Sequence, residues 1–164
     1  MFRVRSILFA CALTCPAPAF AATTVTNTFN VTMTITAQCM VTNPTTMAFA
    51  STGLLSAAVN QTSSFNVTCT NTTPYNIGLD AGANASSGQR RMKGGSTGTE
   101  YISYNLYQDA GYATPWGNVI GTSTKSATGT GSTQAYTVYG QVPAQATPSP
   151  AANYTDMVTI NVTY

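Results

Sequence analysis

Fifteen residues near the N-terminus, VTNTFNVTMTITAQC from Val25 to Cys39, alternate without a break between two kinds of side chain. Val25, Phe29, Val31, Met33, Ile35, Ala37 and Cys39 make one row, interrupted only by Asn27, while every even position is Thr, Asn or Gln. A period of two is the mark of extended backbone with one buried face. Strands usually run about 5–6 residues, and no turn residue divides this stretch, so it cannot fold back on itself as a hairpin. A chain that begins this way must bury a long one-faced strand against something.

The residues ahead of it read as a secretory signal peptide over 1–21. Arg3 and Arg5 form a charged start, SILFACALTC a short apolar run, and Ala19-Phe20-Ala21 a cleavage pattern that sets the mature start at Ala22. The apolar run is too short to span a membrane, and no later run reaches the ~20 residues a span needs. Without the leader, the basic residues Arg90, Arg91, Lys93 and Lys125 balance the acids Asp80, Glu100, Asp109 and Asp156. A neutral mature chain has no field with which to hold nucleic acid or an anionic membrane. Arg90, Arg91 and Lys93 read as part of a solvated loop. An almost uncharged surface rich in Thr and Asn suits a protein packed against copies of itself.

The usual reactive constellations are missing. There is no histidine, so no hydrolytic triad has its base and no zinc site its usual ligands. Asp80 and Asp109 end strands where turns begin, which leaves too few acids for a purposeful carboxylate pair. GGSTG lacks the Lys and the flanking strand and helix of a phosphate loop. No catalytic, cofactor-binding or metal site is expected, and the chain is read as not an enzyme. The mature chain keeps two cysteines, Cys39 and Cys69, in a protein routed to an oxidising compartment. A bridge between them would act as a staple worth roughly 3.5 kcal/mol in the chain-entropy model.

About 140 mature residues suit one domain. Short alternating runs recur along it: TTMAFA, SFNVTC, YNIGLD, YISYNLYQD, WGNVIG, AYTVYGQV and YTDMVTINVTY. Their Thr, Val, Tyr, Ile and Phe content, with Gly, Pro, Asn and Ser between, predicts an all-β sandwich. GANASSGQRRMKGGSTGT and GTSTKSATGTGST read as long loops, and VPAQATPSPAAN is too Pro-rich to cross a sheet. The final run is one-faced like the first: Tyr154, Val158, Ile160, Val162 and Tyr164 share a face that Asp156 interrupts.

Burying Val25, Phe29, Val31 and Met33 against a neighbour would contribute roughly 6–12 kcal/mol as an upper figure. Left unpaired, the same stretch invites aggregation. The physical reading is that Thr23 to about Met33 is donated to another subunit, with Ile35–Val41 the first strand of the chain's own domain. A second reading is an autonomous sandwich that binds carbohydrate through Trp116, Tyr101, Tyr107 and Tyr112.

The order and spacing of several motifs resemble the spore coat protein U domain proteins, the group that includes pilins of archaic (Csu-type) chaperone–usher pili. They are F-x-V-x-M-x-I-x-x-x-C at Phe29–Cys39, VTCT at Val67–Thr70, PYNIGLDAG at Pro74–Gly82, RRM at Arg90–Met92, ISYNLYQD at Ile102–Asp109, WG at Trp116–Gly117, VYGQVPA at Val138–Ala144 and YTDMVTINVTY at Tyr154–Tyr164. The resemblance implies an incomplete immunoglobulin-like β-sandwich over 35–164, preceded by a donor-strand extension over 22–34. It implies a structural pilin that is exported to the periplasm of a Gram-negative bacterium and assembled into a surface fimbrium for adhesion and biofilm formation. The implied partners are a periplasmic chaperone, an outer-membrane usher and identical or homologous pilin subunits. It makes Val25, Phe29, Val31 and Met33 the donor's anchors, with Asn27 over a shallow part of the groove. Ile35, Val158, Ile160, Val162 and Tyr164 become walls of the acceptor groove, and the family's disulfide maps onto Cys39 and Cys69. The family also holds spore-coat proteins, so cell-surface coat material is the close alternative.

Overall fold

A computed structural model describes residues 20–150 and 153–164. The signal-peptide reading therefore lies outside the described residues, apart from Phe20 and Ala21. The chain divides into two units, Met1–Thr34 and Ile35–Tyr164. In the first, Phe20–Thr34 form no strand or helix.

The second unit is all-β among the described residues, with eight strands: β1 Cys39–Thr42, β2 Val59–Cys69, β3 Pro74–Leu79, β4 Arg90–Gly94, β5 Glu100–Tyr107, β6 Lys125–Thr128, β7 Thr133–Val142 and β8 Ile160–Thr163. They form a five-stranded sheet in the order β1-β2-β7-β5-β4 and a three-stranded sheet in the order β6-β3-β8, with every named pairing antiparallel. Facing sheets with alternate residues turned inward make an immunoglobulin-like β-sandwich.

The core shows why the alternation specifies this arrangement. Phe65, Val67 and Cys69 of β2 share one face, as do Tyr136, Val138 and Val142 of β7, and Tyr75, Ile77 and Leu79 answer from β3. Phe65 stacks on Tyr136, with centroids 5.7 Å apart, and meets Trp116 at 5.9 Å. Trp116 is 1% exposed, and its indole N–H donates to the Ile77 carbonyl at 2.9 Å. This residue therefore packs the core, which removes it from the carbohydrate-binding alternative. Register brings Cys39 opposite Cys69, and the two are joined by a disulfide.

Several expectations are corrected. The two stretches read as long loops contain β4 and β6, whose polar sequences RRMKG and KSAT belong to strands at the sheet margins, where charged residues are favoured. Arg90 is not in a solvated loop: its guanidinium is half-buried and donates to the carbonyls of Leu79, Asp80 and Trp116 at 2.6–2.8 Å. Burial pulls its pKa below the ordinary value, opposed by Tyr104, Asp80 and Asp156. TTMAFA and WGNVIG are not strands. The ladder of the first strand is confined to Cys39–Thr42, because β2 ends at Cys69 and beyond it only Thr70 reaches Gln38. YTDMVTINVTY is a strand only over Ile160–Thr163. Asp109 does close a turn, its carboxylate accepting the N–H groups of Gly111, Ala113 and Thr114.

Candidate functional site: an open cleft beside the last strand

The three-stranded sheet covers only part of its partner. Where it stops, beyond β8, the inner face of the five-stranded sheet lines a cleft of about 800 Å³. Its floor is apolar: Phe65 from β2, Met92 from β4, Ile102 and Leu106 from β5, and Val138 and Val142 from β7. Its two lips are the segments Pro44–Gly53 and Asn153–Ile160.

Both lips have the alternation of strands with little of the pairing: only Ile160, where β8 begins, belongs to a ladder. In the first, Met47 and Phe49 rest on Gly140, which leaves a notch between Val138 and Val142 where a Cβ would collide with the Met47 sulfur. The only backbone bond of this lip among the described residues is from Thr45 N–H to the Ser64 carbonyl, 2.8 Å; a side chain, Gln61 Nε2, donates to the Ala48 carbonyl. In the second lip, Thr155 exchanges two backbone bonds with Lys93, while the carbonyls of Met157 and Thr159 accept from Ala83 and Asp80. The odd residues thus face the protein's own strands. Asp156 and Val158 between them have no backbone partner among the described residues. Backbone groups beside a buried apolar surface are almost always paired, so these two residues leave an unpaired backbone edge beside the cleft.

The lip carries one acid into the cleft. Tyr104, on the inner face of β5, donates its O–H to Asp156 Oδ2 at 2.6 Å. Asp156 Oδ1 accepts the backbone N–H and the side-chain amide of Asn84, both at 3.0 Å. Burial, reinforced by the bond to Asp156, pushes the Tyr104 phenol well above its ordinary value, so it stays a donor. A small-molecule pocket would present polar groups free to converge on a ligand; here the polar pair already satisfies itself.

The residues singled out in the sequence fall in several places. Val25, Phe29, Val31 and Met33 are 84–94% exposed, Asn27 is exposed, and its Oδ1 accepts the N–H of Thr28. Val158 and Ile160 line the cleft and pack on the core. Val162 also packs on the core, opposite Ile77, but does not line the cleft. Ile35 and Tyr164 are exposed and lie outside the lining. Reading the sequence alone missed Met47, Phe49, Met92, Tyr104 and Asp156 as parts of the cleft. The alternation at Met47 and Phe49 and the polar break at Asp156 were the available signals.

Comparison with known proteins places these features. No curated protein sequence matches the chain. A chain in the crystal structure of a chaperone–tip adhesion subunit pre-assembly complex, from archaic chaperone-usher Csu pili of Acinetobacter baumannii, is similar at 26% identity and a TM-score of 0.57. The match covers 80% of this chain and 40% of that one. A chain from a chaperone–tip adhesin complex of CFA/I fimbriae biogenesis is 16% identical over 77% of this chain and 41% of its own length, with a TM-score of 0.47. The chain thus spans about two fifths of the length of the solved chains it matches. The Spore Coat Protein U domain model matches residues 25–161, which takes in both lips of the cleft. The chain belongs to the Spore Coat Protein U domain family.

Proposed function

We propose that this chain is a structural pilin whose cleft is filled by the N-terminal segment, Thr23 to about Met33, of another copy or of a homologous subunit. The observation that carries this reading is the pairing of opposites in one sequence. An unpaired strand edge borders an apolar cleft, and an exposed segment presents Val25, Phe29, Val31 and Met33 on one face. An extended segment added beside β8 would gain main-chain bonds along the edge and place alternate side chains on the floor, as in β-strand addition generally. Burying the four anchors contributes roughly 6–12 kcal/mol as an upper figure, comparable with the stability of a whole domain.

The cleft must be shielded until that strand arrives, which is the work of a periplasmic chaperone, and exchange at an outer-membrane usher would then build the fibre. The similarity to a chain of a chaperone–subunit complex supports these partners. On this reading the protein is exported through the periplasm to a surface fimbrium that serves adhesion and biofilm formation, and it is not an enzyme. Among the described residues no helix is long and apolar enough to cross a membrane.

The test is a gel of the secreted chain, unboiled beside boiled, with a variant lacking Ala22–Val31 in parallel. A ladder of multimers that collapses on boiling and is absent from the truncation is expected. A single monomer band, with a truncation that unfolds, would mean the segment completes its own sheet and would overturn the proposal.

A further inference from the structure

Asp156 is the only charged side chain lining the cleft among the described residues. It stands where its segment leaves one sheet for the other: Thr155 before it bridges to Lys93 of β4, and Thr159 after it bonds to Asp80 beyond β3. At that point Tyr104 reaches across from β5 of the five-stranded sheet and donates to its carboxylate. Asn84 holds the other oxygen with two N–H groups. Gly82, at φ +82°, closes the remaining side so tightly that a Cβ there would collide with Asp156 Oδ2. The carboxylate is therefore fixed from the five-stranded sheet and from the loop between β3 and β4, while the backbone on its far side runs on to the three-stranded sheet.

An unfilled apolar cleft tends to close, because covering its walls is favourable. From this geometry we infer that Tyr104 and Asp156 form a strut that holds the cleft open and its edge in place before a strand enters, and that Asp156 is a positioning residue for strand capture. This rests on the cleft being a strand acceptor. If the strut sets the fraction of molecules able to receive a strand, its loss lowers the rate of capture in proportion. Once a strand fills the cleft, the strand itself keeps the sheets apart, and release is little affected.

The experiment adds a fluorescent peptide of the sequence Thr23–Thr34 to the full chain and measures capture and release separately. Every chain carries Phe29→Asp, so that none fills a neighbour's cleft with its own segment, and the one otherwise wild type is compared with Tyr104→Phe, Asp156→Ala and Asp156→Asn. Tyr104→Phe and Asp156→Ala are expected to slow capture about tenfold, the size of one lost hydrogen bond to a carboxylate, with release unchanged. Asp156→Asn keeps an oxygen acceptor for Tyr104 and recovers part of the rate. The near-ultraviolet circular dichroism of Trp116 reports whether each variant keeps its core. Should Asp156→Ala unfold, Tyr104→Phe, which removes a single oxygen, carries the test. Capture at the wild-type rate in the folded variants, or a defect wholly in release, overturns the strut. An otherwise wild-type chain that takes up no peptide overturns the strand-acceptor reading, and the strut with it.

Discussion

Every side-chain carboxylate of this chain accepts a backbone N–H: Asp80 from Gly82 and Thr159, Glu100 from Ser149, Asp109 from Gly111, Ala113 and Thr114, and Asp156 from Asn84. The acids pin loops and the cleft lip. At Asp80 burial pushes the pKa upward, but the bonds from Thr159 and Gly82 and the charge of Arg90 outweigh it, and the net shift is downward. Bonds from Ser149 hold Glu100 low, and bonds from Thr114 and Ala113 hold Asp109 low. A carboxyl held lower in the folded chain than in the unfolded one adds stability that is complete above its unfolded pKa and is lost as pH falls through the folded one. Those three groups start from ordinary values of 3.8, 4.5 and 3.8, so the loss lies in the acid range below about 4.5. With no histidine, no side chain with an ordinary pKa titrates between about pH 5 and 8. Melting temperature against pH is expected to be flat over that interval and to fall only in acid; a step near pH 6.5 would contradict this. The disulfide acts at the same scale. Replacing Cys39 and Cys69 together by Ser opens a loop of 30 residues, and the expected cost is roughly 3.5 kcal/mol, read from the denaturant midpoint.

At the scale of the elements, the two lips of the cleft explain both what could be read from the sequence and what could not. Alternation reports which side chains are buried, and it located β2, β3, β5 and β7, whose inner rows make the core. It does not report whether a backbone has a partner. Met47 and Phe49 therefore looked like a strand, and so did Tyr154 to Val158, although neither segment has a ladder. The strands β4 and β6 escaped for the opposite reason, since polar edge strands carry little alternation. Asp156 was visible as a break in an apolar row, but its partner Tyr104 lies 52 residues away, and nothing local links them. If the donor and the lips are complementary halves of one junction, they fail differently. Phe29→Ala removes an anchor and is expected to weaken the junction by ~100-fold or more, from the usual ~3 kcal/mol of a buried Phe. Phe29→Asp should abolish donation while leaving the cleft intact, and Ile160→Asp should do the reverse. Neither variant should form multimers alone, and a mixture of the two should stop at dimers on an unboiled gel. Ladders from either variant alone would separate its residue from the junction.

At the scale of the whole molecule, a chain with a formal net charge of only +2 and 6% charged residues has little to keep its copies apart. That suits a subunit whose stable state includes its neighbour. Ile35–Tyr164 carries an open apolar cleft, and the segment proposed to fill it is carried by the same sequence with its apolar side chains exposed. The most direct measurement moves that segment. In a variant with Ala22–Thr34 deleted from the N-terminus and attached after Tyr164 through a flexible linker, the donor can reach the cleft of its own domain. A monomer that forms no ladder and melts at least about 15 °C above the chain lacking the segment is expected, from several kcal/mol of added burial. A relocated segment that leaves the melting temperature where the deletion puts it would show that the cleft does not take this strand, and would contradict the account at its centre.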